Sequence, residues 1–207
     1  CITMATRVLT AAQLEEGARR LRAGQLVAFP TDTVYGLGAL AFDGATALKL
    51  YAAKERPPEK AIPILVADRA DLDQVAIDLP PIAYRLMERF WPGALTLVVP
   101  KRPAVPVEVS AGDTIAVRIP DLELTRALLR LTGPLAVTSA NRSTGPNPRT
   151  AQEVLDQLAG RIDAVIDGGV TPGGVPSTVL DCAASDPRIL RAGALADQVS
   201  AFLRNQL

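Results

Sequence analysis

Apolar residues recur along the chain in two periods, and their alternation predicts an α/β protein. Over residues 10–24, Leu14, Ala18 and Leu21 share one helical face, Thr10 and Gln13 have capping-box spacing, and Gly24 can end the helix. A short apolar run at 26–29 predicts a strand closed by Pro30. A helix is expected over 44–54, capped by Asp43, with Leu48, Tyr51 and Ala52 facing inward. Residues 62–66 read as a strand, and helices are expected near 68–76 and 81–90. Strands at 95–99 and 115–119 are bounded by Pro100 and Pro120. A helix at 122–131, a strand at 135–138 and a helix from Thr150 to about residue 158 come next. Short strands at 164–166, 178–180 and 188–190 precede a closing helix at 195–204. So many short, Pro-bounded strands imply a mixed sheet rather than a purely parallel one. The 207 residues suit one domain, with residues 1–9 as a flexible start. Cys1 is unusual as a first residue, and Met4 is the expected native start.

Charge and composition narrow the chemistry. Lys plus Arg and Asp plus Glu both number 22, so no global basic field draws nucleic acid, and aromatics, at 4%, are too scarce for extensive base stacking. No apolar run reaches the roughly 20 residues of a membrane span. Arg19, Arg20 and Arg22 interrupt any signal-like core. A cytoplasmic location is therefore expected, with no membrane partner. Two cysteines make no disulfide framework. Histidine is absent from the chain, which removes Ser-His-Asp triads, HExxH zinc sites and histidine bases. Lys, Arg, carboxylates, hydroxyls and backbone amides remain, a set suited to handling anions by positioning and charge stabilisation.

Several segments could carry that chemistry. PTDTVYGLG (30–38) follows an apolar strand, and its last two glycines could let backbone approach a ligand; a tight turn capped by Asp32 and Thr33 is the plainer reading. In KERPPEK (54–60), Pro57 forces Arg56 out of the helix, so the cations could hold polyphosphate or simply solvate a helix end. TSAN (138–141) could bond phosphate or carboxylate oxygens, or cap a helix. Arg118, between Val117 and Ile119, needs a partner: a structural Asp or Glu, or a ligand carboxylate. WPGALT (91–96) reads as structural, with Trp91 capping a core. The glycine-rich stretch at 168–174 lacks the Lys-Ser/Thr ending of a P-loop. PST (176–178) and RAG (191–193) complete the series.

In this order the segments PTDTVYGLG, KERP, WPGALT, AVRIP, TSAN, PST and RAG resemble the YrdC/TsaC family of threonylcarbamoyl-AMP synthases, from Pro30 to Gly193. The resemblance implies the family's short, single-domain form: a twisted open mixed α/β sheet with flanking helices around a large, concave, positively charged cavity. It also implies a synthase using ATP, L-threonine and bicarbonate, with Mg²⁺ entering alongside ATP. The product would be handed to the machinery that modifies tRNA, with a weak tRNA contact of its own. By position, Thr31, Pro63, Arg118, Val137 and Ser177 would form the threonine pocket. Lys54, Arg56, Ser139 and Asn141 would form a catalytic tetrad around the phosphates and carbamate. Pro58, Thr114, Asn147 and Arg191 would be further ATP contacts, and KERPPEK is the natural candidate for a lid. The chain departs from the family pattern at Ala61-Ile62-Pro63, where many relatives have proline or glycine directly after the Lys60-like position. Two rival functions are an RNA-binding module of the same fold and a carbamoyl-phosphate-using relative. The second normally sits in longer chains with acylphosphatase and zinc-finger regions.

Overall fold

The computed structural model describes residues 4–206, so the expectations for Cys1 to Thr3 lie outside the described residues. The strands are β1 (Arg7–Thr10), β2 (Val27–Phe29), β3 (Gly36–Leu40), β4 (Ile64–Leu65), β5 (Leu95–Pro100), β6 (Thr114–Arg118), β7 (Leu135–Ser139), β8 (Ala164–Asp167), β9 (Thr178–Asp181) and β10 (Arg188–Arg191). The helices are α1 (Leu14–Arg22), α2 (Gly44–Lys54), α3 (Pro81–Phe90), α4 (Glu123–Thr132), α5 (Ala151–Leu158) and α6 (Ala196–Arg204). All ten strands join one open sheet in the order β1-β8-β2-β3-β7-β4-β6-β5-β9-β10. Pairing is mixed: β1–β8, β2–β8, β4–β6 and β5–β9 are parallel, and the remaining pairs antiparallel.

Local signals place most of these elements. Asp43 caps α2 by accepting from the Thr46 N–H at 3.1 Å, and Thr150 caps α5 from Glu153 N–H at 3.1 Å. The Thr10/Gln13 capping box forms, although it opens a 3₁₀ turn at Ala11–Gln13 before α1. Residues 69–74 are likewise 3₁₀ rather than α-helical.

Three expectations are corrected. Residues 7–9 are not a loose start: β1 is an edge strand paired with β8, and Leu9 is buried. In α2 the inward residues are Ala47, Leu50, Tyr51 and Ala53, while Leu48 is 51% exposed. An alanine-rich helix gives a weak apolar stripe, so its neighbours choose the face. Gly36–Leu40, where no strand was expected, is a central strand. A Cβ on Gly36 would come within 2.6 Å of Val137 Cγ1, and one on Gly38 within 2.7 Å of Phe29 Cε1. Those glycines make room for neighbouring side chains, and Gly36 also lines the cavity described below.

Because side chains alternate along a strand, the registers define two faces. On one, Leu37, Ile64, Val117, Leu97 and Leu180 join the large core with Leu50 of α2, Leu86 of α3 and Val154 of α5. On the other, Leu9, Phe29, Leu65 and Val137 pack beneath Leu21 of α1 and Leu128 of α4. That second cluster stops at Leu65. Beyond it the same face carries Arg118, in register with Leu65, then Thr96 and Ser177. The polar half of this face is the floor of a cavity.

Candidate active site

The cavity is an open hollow of about 700 Å³, part of it continuous with solvent. Nine of the thirteen residues expected from sequence line it: Thr31, Pro63, Arg118, Val137 and Ser177 of the threonine set, and Arg56, Ser139, Asn147 and Arg191 of the nucleotide and catalytic sets. Lys54 and Asn141 lie directly behind Ser139. Pro58 and Thr114 are not in the lining. Thr114 opens β6 opposite Pro100, and its carbonyl accepts from Ser110 Oγ at 2.8 Å.

Arg118 is held from three directions. Its Nη1 donates to Asp32 Oδ1 at 2.6 Å and to the Gly93 carbonyl at 3.2 Å, and its Nη2 donates to Thr33 Oγ1 at 3.3 Å. The turn after β2 presents both residues. Thr31 Oγ1 donates to the Val34 carbonyl at 2.6 Å and lies 3.0 Å from Thr33 Oγ1, so the turn is locked by its own hydroxyls.

Lys54 ends α2, and Glu55 follows in the left-handed region at φ 54°, turning the chain away. Lys54 Nζ donates to the carbonyls of Ser139 and Asn141, the latter at 2.6 Å, and reaches Ser139 Oγ at 3.5 Å. Three donors thus meet three acceptors beneath the TSAN turn. Burial, with a smaller push from Arg56, lowers this ammonium to about 7. Asn141 Nδ2 donates to the Arg142 and Gly145 carbonyls at 2.8 Å each, tying down the loop that carries Asn147. Arg56 leaves the helix as Pro57 requires, and its Nη2 donates to the Ala61 carbonyl at 3.0 Å.

Arg191 reaches the cavity through a β-bulge. Ile189 pairs with Leu180 but Arg191 with Val179, so Leu190 is the extra residue. The bulge turns Arg191 onto the face that carries Ser177. There its Nε and Nη2 donate to the Ser177 carbonyl at 3.1 and 2.8 Å, and Nη2 also to Ser177 Oγ at 3.1 Å. Gly193 permits this approach, because a Cβ there would lie 2.5 Å from Ser177 C. Ser177 Oγ is also 2.7 Å from Thr96 Oγ1. Burial first, then the charges of Arg118 and Arg56, hold the Arg191 guanidinium below its usual range. Three guanidiniums therefore share one field; among the described residues no Asp or Glu is in the lining itself, and Asp32 pairs with Arg118 from beside it. Such a hollow favours a ligand carrying several negative charges.

Sequence reasoning missed Thr33, Thr96 and Leu65. Thr96 lies in WPGALT, which reads as structural; its only signal is a hydroxyl alternating with apolar residues on β5. Trp91 does keep the structural role, donating Nε1–H to the Leu95 carbonyl at 2.7 Å.

Comparison with known proteins places this arrangement. The family model for Sua5, YciO and YrdC proteins, described as telomere recombination, matches residues 19–193. The threonylcarbamoyl-AMP synthase of Bacillus subtilis is 45% identical over 195 residues, covering 92% of this chain and 56% of that protein. The protein of the same name from Pyrococcus abyssi is 45% identical over 177 residues, covering 84% of this chain and 52% of that protein. A crystal structure of P. abyssi Sua5 complexed with L-threonine superposes with a TM-score of 0.92 at 39% identity, over 96% of this chain and 61% of that one. The chain thus spans about half the length of the curated relatives it matches. With its fold, motif order and matched residues all in agreement, this chain belongs to the Sua5/YciO/YrdC family.

Proposed function

We propose that the chain is an L-threonylcarbamoyladenylate synthase, making threonylcarbamoyl-AMP and pyrophosphate from L-threonine, bicarbonate or CO₂, and ATP. The observation that carries this reading is the convergence of Arg56, Arg118 and Arg191 with Ser139 and Ser177 on one cavity.

In this reading Arg118 takes the threonine carboxylate. Its guanidinium has five N–H donors, and three are engaged within the protein. The amine nitrogen adds to CO₂ and loses a proton, giving the carbamate. A carbamate oxygen then attacks the α-phosphorus, and the bond to the bridging oxygen of pyrophosphate breaks. Two anions must meet for this to happen, so Arg56 and Arg191 offset their repulsion and stabilise charge developing in the transition state. Lys54 holds Ser139 and Asn141 in place from behind.

Among the described residues no three Asp, Glu, His or Cys side chains cluster to hold a metal ion. A Mg²⁺ entering with ATP would therefore draw its oxygens from phosphates and water. The product, a reactive mixed anhydride, would pass to the tRNA-modifying machinery. Among the described residues no helix is long and apolar enough to cross a membrane.

The test is pyrophosphate release from ATP with threonine and bicarbonate omitted in turn. Release should require both. Release that ignores threonine would overturn the assignment.

A further inference from the structure

We infer that Leu65, backed by Val137, selects threonine over serine by receiving the methyl group on the substrate's β-carbon. The inference rests on the synthase reading above and adds the residue that sets its amino-acid specificity.

Among the described residues, Leu65 and Val137 alone belong both to the second core cluster and to the cavity lining. Where the cluster beneath α1 and α4 ends, these two side chains form an apolar step into the hollow beside Arg118, apart from its other apolar lining at Val34 and Pro176. The step lies beside the expected carboxylate anchor. Leu65 and Arg118 are register partners on neighbouring parallel strands, so their side chains emerge side by side on the same face. Val137 is tied to the same spot through its N–H, which donates to the Pro63 carbonyl at 2.9 Å.

Hydroxyls line other parts of the hollow. Thr33 meets Arg118 from the turn after β2, and Thr96 and Ser177 come from β5 and the start of β9. An amino acid anchored at Arg118 by its carboxylate meets hydroxyls and an apolar step from one position. Its β-carbon then needs two unlike substituents, a hydroxyl and a methyl. Threonine has both, and serine leaves Leu65 facing water.

The step is also rigid. Leu65 is 4% exposed and its inner atoms pack with the cluster containing Leu128 and Leu135, so it cannot collapse onto a smaller ligand. One methyl group in such a pocket gives discrimination of about 10–200-fold.

The experiment compares kcat/KM for threonine, serine and 2-amino-3-hydroxypentanoate by pyrophosphate release, in the wild type, Leu65→Val and Leu65→Ala. The wild type should prefer threonine to serine by about 10–200-fold. Both variants should lower that ratio through a higher KM for threonine, with KM for ATP little changed. Leu65→Ala should also improve use of the longer homologue. Leu65→Val removes a single methylene, so selectivity can be read even where Leu65→Ala folds poorly. An unchanged threonine-to-serine ratio in an active variant overturns the role of Leu65. Threonine-independent release in the wild type instead removes the synthase reading itself.

Discussion

Arg118 Nη1 and Asp32 Oδ1 are 2.6 Å apart, in an ion pair whose side chains are only 7% and 11% exposed. The sequence allows either a structural carboxylate or a ligand carboxylate as the partner of this arginine. The structure supplies the first, and the remaining donors leave room for the second. Asp32 holds the guanidinium while balancing its charge.

Breaking that pair from one side should separate the two roles. Arg118→Ala leaves a buried carboxylate without its counter-charge, at a cost of about 3–5 kcal/mol. It should also abolish threonine binding in calorimetry. Adding Asp32→Asn should restore much of the stability, measured by denaturant unfolding, without restoring binding. Threonine binding that survives in Arg118→Ala would contradict the carboxylate role.

Lys54 predicts a pH effect of definite sign. Its ammonium is lowered from 10.5 to about 7 in the fold. Between those pH values the unfolded chain holds a proton that the folded chain does not, so stability rises as pH increases through this window. The slope is at most about 1.4 kcal/mol per pH unit. Denaturant unfolding at pH 7 and pH 9.5 should show this gain in the wild type and a smaller one in Lys54→Met. Turnover in Lys54→Ala should fall on the order of 10²-fold, because Ser139 and Asn141 lose the group that positions them from behind.

Thr96→Val keeps the side-chain shape in β5 and removes the 2.7 Å bond to Ser177. The expected effect is about 1 kcal/mol, seen as a several-fold higher KM for threonine with the melting temperature nearly unchanged. An unaltered KM would return Thr96 to a purely structural role.

Gly193→Ala should harm the substrate pockets on both sides of Ser177. A Cβ there lies 2.5 Å from Ser177 C and O, which are backbone atoms with little freedom to move. The overpacking should cost about 1–3 kcal/mol. Weaker binding of both threonine and ATP should accompany a lower unfolding midpoint.

Cys182 should resist alkylation in the folded protein. Burial, aided by the Asp181 charge, pushes its thiol up to about 12, so little thiolate exists at neutral pH. Iodoacetamide labelling read by peptide mass should leave Cys182 unmodified until denaturant is added.

Much of the fold was legible because its signals are local. Asp43, Thr150 and the Thr10/Gln13 pair are read from spacing alone, and each forms its cap. Proline boundaries place β5 and β6 to within a residue or two. The elements that escaped lack such signals. β3 reads Gly-Leu-Gly-Ala-Leu, without β-branched residues, and it is a strand because Phe29 and Val137 fill the space above its glycines. β4 shrinks to Ile64–Leu65, the two residues in ladder register with both β6 and β7, while Pro63 and Val66 keep single backbone bonds to Val137 and Arg118 at its ends.

The site divides in the same way. The sequence by itself determined the inventory: no histidine, arginines at 56, 118 and 191, hydroxyls at strand ends, and a motif order that points to one family. Tertiary structure alone decided that Asp32 pairs with Arg118 across 86 positions, that Thr96 meets Ser177 across 81, and that a bulge aims Arg191 inward. Local spacing encodes periodicity and caps because those interactions lie within a few residues. Contacts between distant strands depend on sheet order and register, which the whole core sets at once.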